Sequence, residues 1–451
     1  MTKEISCFKA YDVRGRIPSE LNEDVAYRIG VGVASYFEAE SVVVGYDVRP
    51  SSIDILHALT KGINSQDAKV YSIGLCGTEE IYFATNHLNT DAGVMITASH
   101  NPADYNGLKI VGKGAKPVSM ESGLDEIKSI AEASESKDDK EPEIELVDVK
   151  NEYIEKLMEF IDPNKIKPMK IVTNSGNGCA GPVLDMLEDK LPIEFVKIQN
   201  EPDGSFPNGI PNPLLPENRE ITSKAVIENS ADLGIAWDGD FDRCFFFDSN
   251  GDFIESYYLI SFLSQQLLKQ SPGESIVHDP RLVWNTIEEV DGFGGNPIIS
   301  KSGHSFIKEA MRENESVYGG EMSGHHYFRD FYYSDSGMIP WLLLIENASV
   351  SGSTLTDLVK NMISKFPVSG EINRTVNKPE ELLEKIKDHY LPFDPIIDNL
   401  DGYSFDFGSW RFNLRMSNTE PLVRLNVESR NDTHLMQTKT QEVLGLIEKL
   451  G

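Results

Sequence analysis

Apolar residues along this chain switch between two spacings. Val25, Ile29, Val33 and Phe37 recur at helical intervals, 52–64 does the same, and Val42-Val43-Val44 between them is a continuous apolar run. The pattern predicts helix, buried strand, helix, the unit from which parallel or mixed sheets are assembled. A second apolar run, Val94-Met95-Ile96, stops at Thr97-Ala98-Ser99-His100-Asn101-Pro102. A β-prone run that ends in small, polar and proline residues is a strand opening into a surface loop. The same event recurs where 170–174 meets Ser175-Gly176-Asn177-Gly178, and where 233–237 meets Asp238-Gly239-Asp240-Phe241-Asp242-Arg243. It recurs again where 316–318 meets Gly319-Gly320-Glu321-Met322-Ser323-Gly324-His325-His326. A further strand is predicted at 275–279, with helices near 181–189 and 305–313. Ligands of open α/β sheets bind at the carboxyl ends of strands, so these loops are the places to look for chemistry.

The pattern changes towards the C-terminus. Leu355, Leu358, Met362 and Phe366 form one face of a helix that Pro367 and Gly370 end. Beyond it come strand candidates, the segment 410–421, a strand through Val423, Leu425 and Val427, and a last helix over 433–449, together a small α+β unit. The charged stretch 131–150 has few apolar anchors and marks another boundary. At ~150 residues per domain, 451 residues suggest about three domains.

Composition is that of an ordinary globular chain. A net charge of −30 argues against a nucleic-acid partner, and any anionic ligand would need cations gathered locally, which makes each arginine in a loop informative. Cys7, Cys76, Cys179 and Cys244 are widely separated, the pattern of reduced thiols rather than a zinc site. The start of the chain has no apolar signal segment, and the longest apolar stretch, near 338–345, is too short to span a bilayer. A cytoplasmic protein, monomer or dimer, without membrane or nucleic-acid contacts is expected.

Three loops carry chemistry on their own residues. Ser99 has His100 beside it and Lys109 ten positions on, a hydroxyl nucleophile with a base and a cation within reach. Asp238, Asp240 and Asp242 alternate along one short loop between apolar strands. Such carboxylates repel unless a cation joins them, and an all-oxygen set suits Mg²⁺ or Ca²⁺. The loop is not an EF-hand: Arg243 and Ser249 stand where that motif needs Gly and Glu, and Mg²⁺ is the better match. Arg415-Met416-Ser417-Asn418-Thr419 offers a guanidinium, hydroxyls, an amide and backbone N–H groups, the chemistry of a phosphate cradle. Glu321 and Ser323 form a weaker signal, a carboxylate and a hydroxyl able to grip adjacent sugar hydroxyls. Ser99-His100 lacks the GxSxG elbow of a serine hydrolase.

Taken together, Thr97–Pro102 with Asp104-Tyr105-Asn106-Gly107-Leu108-Lys109, the Asp-Gly-Asp-x-Asp-Arg loop, Gly320–His325 and Arg415–Pro421 resemble, in order, the four active-site loops of the α-D-phosphohexomutase family. Tyr11-Asp12-Val13-Arg14-Gly15 resembles the N-terminal motif of the same family. The resemblance spans essentially the whole chain. It implies three related mixed-sheet α/β domains plus a smaller C-terminal α+β domain around a central cleft. The expected division is 1–150 for the phosphoserine loop, 151–250 for the metal loop, 251–366 for sugar recognition and 367–451 for phosphate binding.

It implies catalytic roles for Ser99, His100, Lys109, Arg243 and Arg14, and Mg²⁺ on Ser99, Asp238, Asp240 and Asp242. Substrate contacts carry over to Glu321, Ser323, His304, Arg281, Arg415, Ser417, Asn418, Thr419 and Tyr11, with Asn418 standing where many members have glycine. Segments 78–83, 325–330 and 410–415 look most like those of bacterial phosphomannomutases, which interconvert mannose 6-phosphate and mannose 1-phosphate and feed GDP-mannose to surface polysaccharides. A hexose 1,6-bisphosphate would be intermediate and activator. The alternatives are a phosphoglucomutase or phosphoglucosamine mutase, and, in another class, a non-catalytic sugar-phosphate-binding protein.

Overall fold

A computed structural model describes residues 4–136, 140–417 and 421–451. The chain forms two compact units, one of 1–253 with 324–352 and one of 254–323 with 353–451.

The first unit carries a mixed sheet whose main strands run Val13–Arg16, Tyr105–Gly112, Ala92–Ile96, Ser41–Tyr46, Lys69–Leu75, Ile144–Leu146 in spatial order. Ser41–Tyr46 is parallel to both Ala92–Ile96 and Lys69–Leu75. Tyr105–Gly112 runs back antiparallel beside Ala92–Ile96, so the Ser99 loop is the bend between two neighbouring strands. Met95 pairs with Lys109, which places the lysine beside the mouth of that loop. The helix Glu23–Tyr36 begins at Asn22, whose side chain accepts from the Val25 N–H, and its acidic first turn suits the positive end of the helix dipole. Val42, Val44, Val94, Ile96 and Leu108 are buried in one core with the apolar faces of this helix and of Ser52–Asn64.

A second sheet in this unit orders Cys244–Phe247, Leu233–Trp237, Met169–Asn174 and Ile193–Ile198. The last three are parallel, and Cys244–Phe247 turns back antiparallel, so the acidic loop is again a bend at a strand's carboxyl end. The helix Ile339–Ser351 also belongs here.

The second unit holds the parallel strands Asn296–Ile299, Ser275–His278 and Tyr318–Gly320, with Ser275–His278 between the other two. The C-terminal sheet is antiparallel throughout, in the order Ile372–Thr375, Leu422–Ser429, Trp410–Met416, Tyr403–Asp406, Ile396–Asp398. One face is apolar: Phe412, Leu414, Leu425 and Val427 pack with the helices Pro379–Tyr390 and Thr433–Leu450. The predicted strand 316–318 sits two residues later, at Tyr318–Gly320. The helices Lys150–Met158, Ser256–Gln270 and Pro379–Tyr390 were not expected. No helix among the described residues is long and apolar enough to cross a membrane.

Candidate active site

Ser99 is buried and its backbone is left-handed, with φ of +48°. A side chain other than glycine is held in that region only when its surroundings over-determine it. Here they do. The Ser99 N–H donates to Thr97 Oγ1 at 2.8 Å, and that hydroxyl donates to Asp47 Oδ2 at 2.8 Å. On the other side, the Ser99 carbonyl accepts from Arg49 Nη2 at 2.9 Å. Arg49 uses every N–H it has. Its Nε bonds Asp47, Nη1 donates to the Pro102 and Tyr105 carbonyls, and Nη2 donates to those of Ser99 and Asn101. Nothing in the local pattern singled out Asp47 and Arg49. The signal available was a charged pair directly after a buried strand, at the end where sites form.

The acidic loop meets the serine. Ser99 Oγ donates to Asp238 Oδ2 at 2.7 Å and lies 3.0 Å from His100 Nδ1. The backbones are as close: a Cβ on Gly239 would stand 2.7 Å from the Ser99 carbonyl oxygen, so only glycine lets the loops touch. Arg243 donates from Nε and Nη2 to Asp238 Oδ2, at 2.9 and 2.7 Å, and its Nη2 is 2.5 Å from His100 Nδ1. A guanidinium only donates, so Nδ1 accepts and carries no proton. Burial, then the charges of Arg243 and Arg14, push the imidazolium pKa well below its ordinary value. Lys109 Nζ donates to Asp240 Oδ2 at 2.6 Å and to Asp242 Oδ2 at 2.5 Å. Burial opposes that ammonium, but the two carboxylates outweigh it and its pKa is raised. Thr78, which opens segment 78–83 but was not expected as a site residue, donates from its hydroxyl to Asp240 at 2.6 Å. Arg14 donates to Asn101 Oδ1 at 2.5 Å and Asp12 Oδ2 at 2.6 Å, and Tyr11 is half-buried in the turn before its strand.

The three aspartates fit a hard cation. One carboxylate oxygen from each lies within 4.8 Å of the others, all three are buried, and Oδ1 of Asp240 and of Asp242 has no hydrogen-bond partner among the described residues. Burial and the neighbouring Asp240 raise the Asp242 pKa, the response of a carboxylate short of positive charge. Asp242, His325 and Asp335 form a second group of ligand-type atoms beside the first, His325 Nδ1 lying 2.8 Å from Asp335 Oδ2.

In the second unit, Glu321 follows the strand Tyr318–Gly320 and accepts from Arg281 Nη2 at 3.2 Å. Asp279 receives two further bonds from the Arg281 side chain, one from its backbone N–H and one from the Met322 N–H. Ser323 Oγ has no partner among the described residues. His304 opens the helix His304–Glu313. Arg415 is the penultimate residue of the strand Trp410–Met416, and the Ser417 N–H donates to the Leu422 carbonyl at 3.0 Å. Asn418 and Thr419 lie outside the described residues. Glu371, which the sequence did not mark, accepts from Arg281, Arg415 and Arg424.

The fold and these loops define an α/β protein that sets a serine hydroxyl against a carboxylate cation site. The four domains of one family match the chain in order: "Phosphoglucomutase/phosphomannomutase" α/β/α domains I, II and III over residues 6–138, 151–251 and 255–366, and its C-terminal domain over 371–444. The chain belongs to the phosphoglucomutase/phosphomannomutase family. It is 54% identical over 445 residues to a protein of Xanthomonas campestris pv. campestris named "Phosphohexose mutases", covering 98% of this chain and 99% of that one. It is 51% identical to a phosphomannomutase of Salmonella montevideo, covering 98% and 99%. A crystal structure of a phosphoglucomutase/phosphomannomutase family protein from Burkholderia thailandensis superposes with a TM-score of 0.88 at 29% identity, covering 100% of this chain and 98% of that one. The expected α/β class, with a smaller C-terminal α+β domain, is borne out by the sheets and these matches, and the C-terminal sheet proves antiparallel.

Proposed function

We propose that this chain is a phosphomannomutase that interconverts mannose 6-phosphate and mannose 1-phosphate through a phosphoserine at Ser99 and a mannose 1,6-bisphosphate intermediate. The observation that carries the reading is the contact of Ser99 Oγ with Asp238 at 2.7 Å, beside two more aspartates bridged by Lys109, in a chain about half identical to a protein of that name. In each half-reaction the P–O bond to one oxygen breaks as that to another forms, between Ser99 Oγ and a sugar hydroxyl. Asp238, Asp240 and Asp242 with a phosphoserine oxygen would hold Mg²⁺, which when bound supplies charge neutralisation of the phosphoryl oxygens.

Arg243 orients Asp238 and holds His100 Nδ1 as an acceptor, so His100 takes a proton beside Ser99 Oγ only once that contact is released. Lys109 and Arg14 add cationic field, and Arg49 holds the loop that the transfer starts from. Glu321 and Ser323 would grip sugar hydroxyls, with Arg281, His304 and Tyr11 supporting the substrate. Arg415, Ser417, Asn418 and Thr419 would bind the phosphate not undergoing transfer. We assign 1–150, 151–250, 251–366 and 367–451 to the phosphoserine, metal, sugar and phosphate domains. We also assign activation by a hexose 1,6-bisphosphate, a supply of GDP-mannose for polysaccharide synthesis, and a cytoplasmic location.

The test is intact mass before and after incubation with mannose 1,6-bisphosphate, joined to coupled assays on mannose, glucose and glucosamine 1-phosphates. One phosphate gained, lost in Ser99→Ala, and the fastest turnover on mannose support the proposal. A rate on glucosamine 1-phosphate far above that on mannose 1-phosphate sinks the substrate assignment. One observation favours a second reading, a phosphoglucomutase or phosphoglucosamine mutase: the Xanthomonas relative is named for phosphohexoses rather than for mannose.

A further inference from the structure

Glu371 is enclosed by guanidinium groups. Its Oε1 accepts from Arg424 Nη1 at 2.7 Å, and its Oε2 accepts from Arg281 Nη1 at 3.1 Å and Arg415 Nη2 at 3.3 Å. Arg415 and Arg424 stand opposite each other on paired strands, and Arg281 comes from the segment after Ser275–His278. Burial alone would raise the Glu371 pKa, but the three cations outweigh it and hold the carboxyl below the usual range. Arg281 is also bound by Asp279 and Glu321. Among the described residues, three guanidinium groups therefore face three carboxylates in these ion pairs, and their charges balance.

The donors are nevertheless underused. Nε of Arg415 and Nε of Arg424 are buried with no hydrogen-bond partner among the described residues. A carboxylate brings two oxygens and one charge to this cluster. A phosphate monoester brings three terminal oxygens and about two charges at neutral pH, and guanidinium forks bind it bidentately. Adding it beside Glu371 would leave the cluster two charges negative in a mostly buried place. Replacing Glu371 with it relieves one of those charges and gives the idle Nε donors acceptors.

We propose that Glu371 is the internal occupant of an anion site made by Arg281, Arg415 and Arg424, and that a phosphate monoester binds there by displacing its carboxylate. The inference rests on the reading of Arg415 as part of a phosphate cradle. Glu371 follows Gly370, whose φ is +68°, and has three side-chain torsions to swing with. While it stays in place it keeps the forks splayed and prevents Arg415 from collapsing onto another acid. It also sets a threshold: a singly charged anion gains nothing by exchanging with it, whereas a dianion does. The apparent affinity for phosphate is lowered by the fraction of molecules in which Glu371 holds the site.

The test uses full-length protein and inorganic phosphate as the probe, by calorimetry and as a competitive inhibitor of turnover. Glu371→Gln removes the competing charge and should bind phosphate about tenfold tighter or more. Glu371→Asp keeps the charge but draws it back, and should fall between. Arg415→Ala should weaken phosphate binding in either background. A Gln variant with an unchanged far-UV spectrum and a cooperative melt that binds phosphate no better than the parent makes Glu371 a structural tie and overturns the inference. Should the Gln variant fail to fold, the Asp variant decides by the same criterion. Phosphate binding that Arg415→Ala leaves unchanged in the parent chain overturns the cradle reading, a different outcome from the failure of the Glu371 step.

Discussion

Replacing Arg49 by lysine keeps the charge and removes the fork. The guanidinium donates to Asp47 and to the carbonyls of Ser99, Asn101, Pro102 and Tyr105, all from a fully buried position. An ammonium has three donors radiating from one atom and cannot span that arc. At least two of the four carbonyls, three of them in part-buried bonds, then lose their donor, each costing about 1–3 kcal/mol where water cannot replace it. The loss in unfolding free energy should be on the order of 2–6 kcal/mol, a large share of the roughly 5–15 kcal/mol a domain has. The Ser99 loop would also relax from its left-handed φ. A shift of the nucleophile by about 1 Å costs on the order of 10²-fold in rate. Urea or thermal melts give the first quantity, and a coupled mutase assay the second. Because Arg49 sits behind the nucleophile, the rate loss should fall on kcat, with KM moved by less than about threefold. An Arg49→Lys protein within about 0.5 kcal/mol of the parent and with unchanged kcat would refute the reasoning, since surface-like substitutions behave that way.

Three other outcomes are expected. Ser99→Ala should melt as the parent does yet lose roughly 10⁴-fold or more of mutase turnover, as removal of a covalent nucleophile does elsewhere; near-normal turnover would move the phosphoryl carrier to another residue. EDTA should stop turnover and Mg²⁺ restore it, and activity that survives exhaustive chelation would remove the cation from the site. His326 is buried, and burial followed by the charge of His325 lowers its pKa to about 3 from 6.5. A depressed histidine is neutral in the folded chain and protonates on unfolding, so stability is full above pH 6.5 and falls by about 1.4 kcal/mol per pH unit below it, until the folded pKa is reached. His326→Gln should flatten that slope in thermal melts taken between pH 4 and 8; an equal slope in both proteins would assign acid lability to other groups.

What was legible in the sequence is what short-range periodicity and local chemistry encode. Strand ends at Ile96 and Trp237, and the alternating aspartates after the second of them, could be read because a strand, a bend and a carboxylate are each local events. The helices Ser256–Gln270 and Pro379–Tyr390 escaped for different reasons. In the first, residues 256–264 are all buried, so no polar face gives a 3.6-residue contrast. The second does carry Leu382, Leu383, Ile386 and Tyr390 at helical spacing, a face that the dense charge around it masks. The residues missed around the site share one property: they work on partners remote in the chain. Arg49 addresses carbonyls fifty or more positions away, which have no side-chain signature at all.

That distinction also orders the electrostatics. The chain carries thirty excess negative charges, yet the site cations Arg49, Lys109, Arg243, Arg281 and Arg415 each touch at least one carboxylate. A cation buried in so acidic a protein is stable only when paired, and pairing makes it unavailable to a ligand until the ligand outcompetes its partner. The aspartates at 238, 240 and 242 and the glutamate at 371 therefore serve one physical end. They hold the positive groups in place before the phosphosugar arrives. At Glu371, on the displacement proposed above, a phosphate dianion wins the exchange because it brings twice the charge of the carboxylate it replaces.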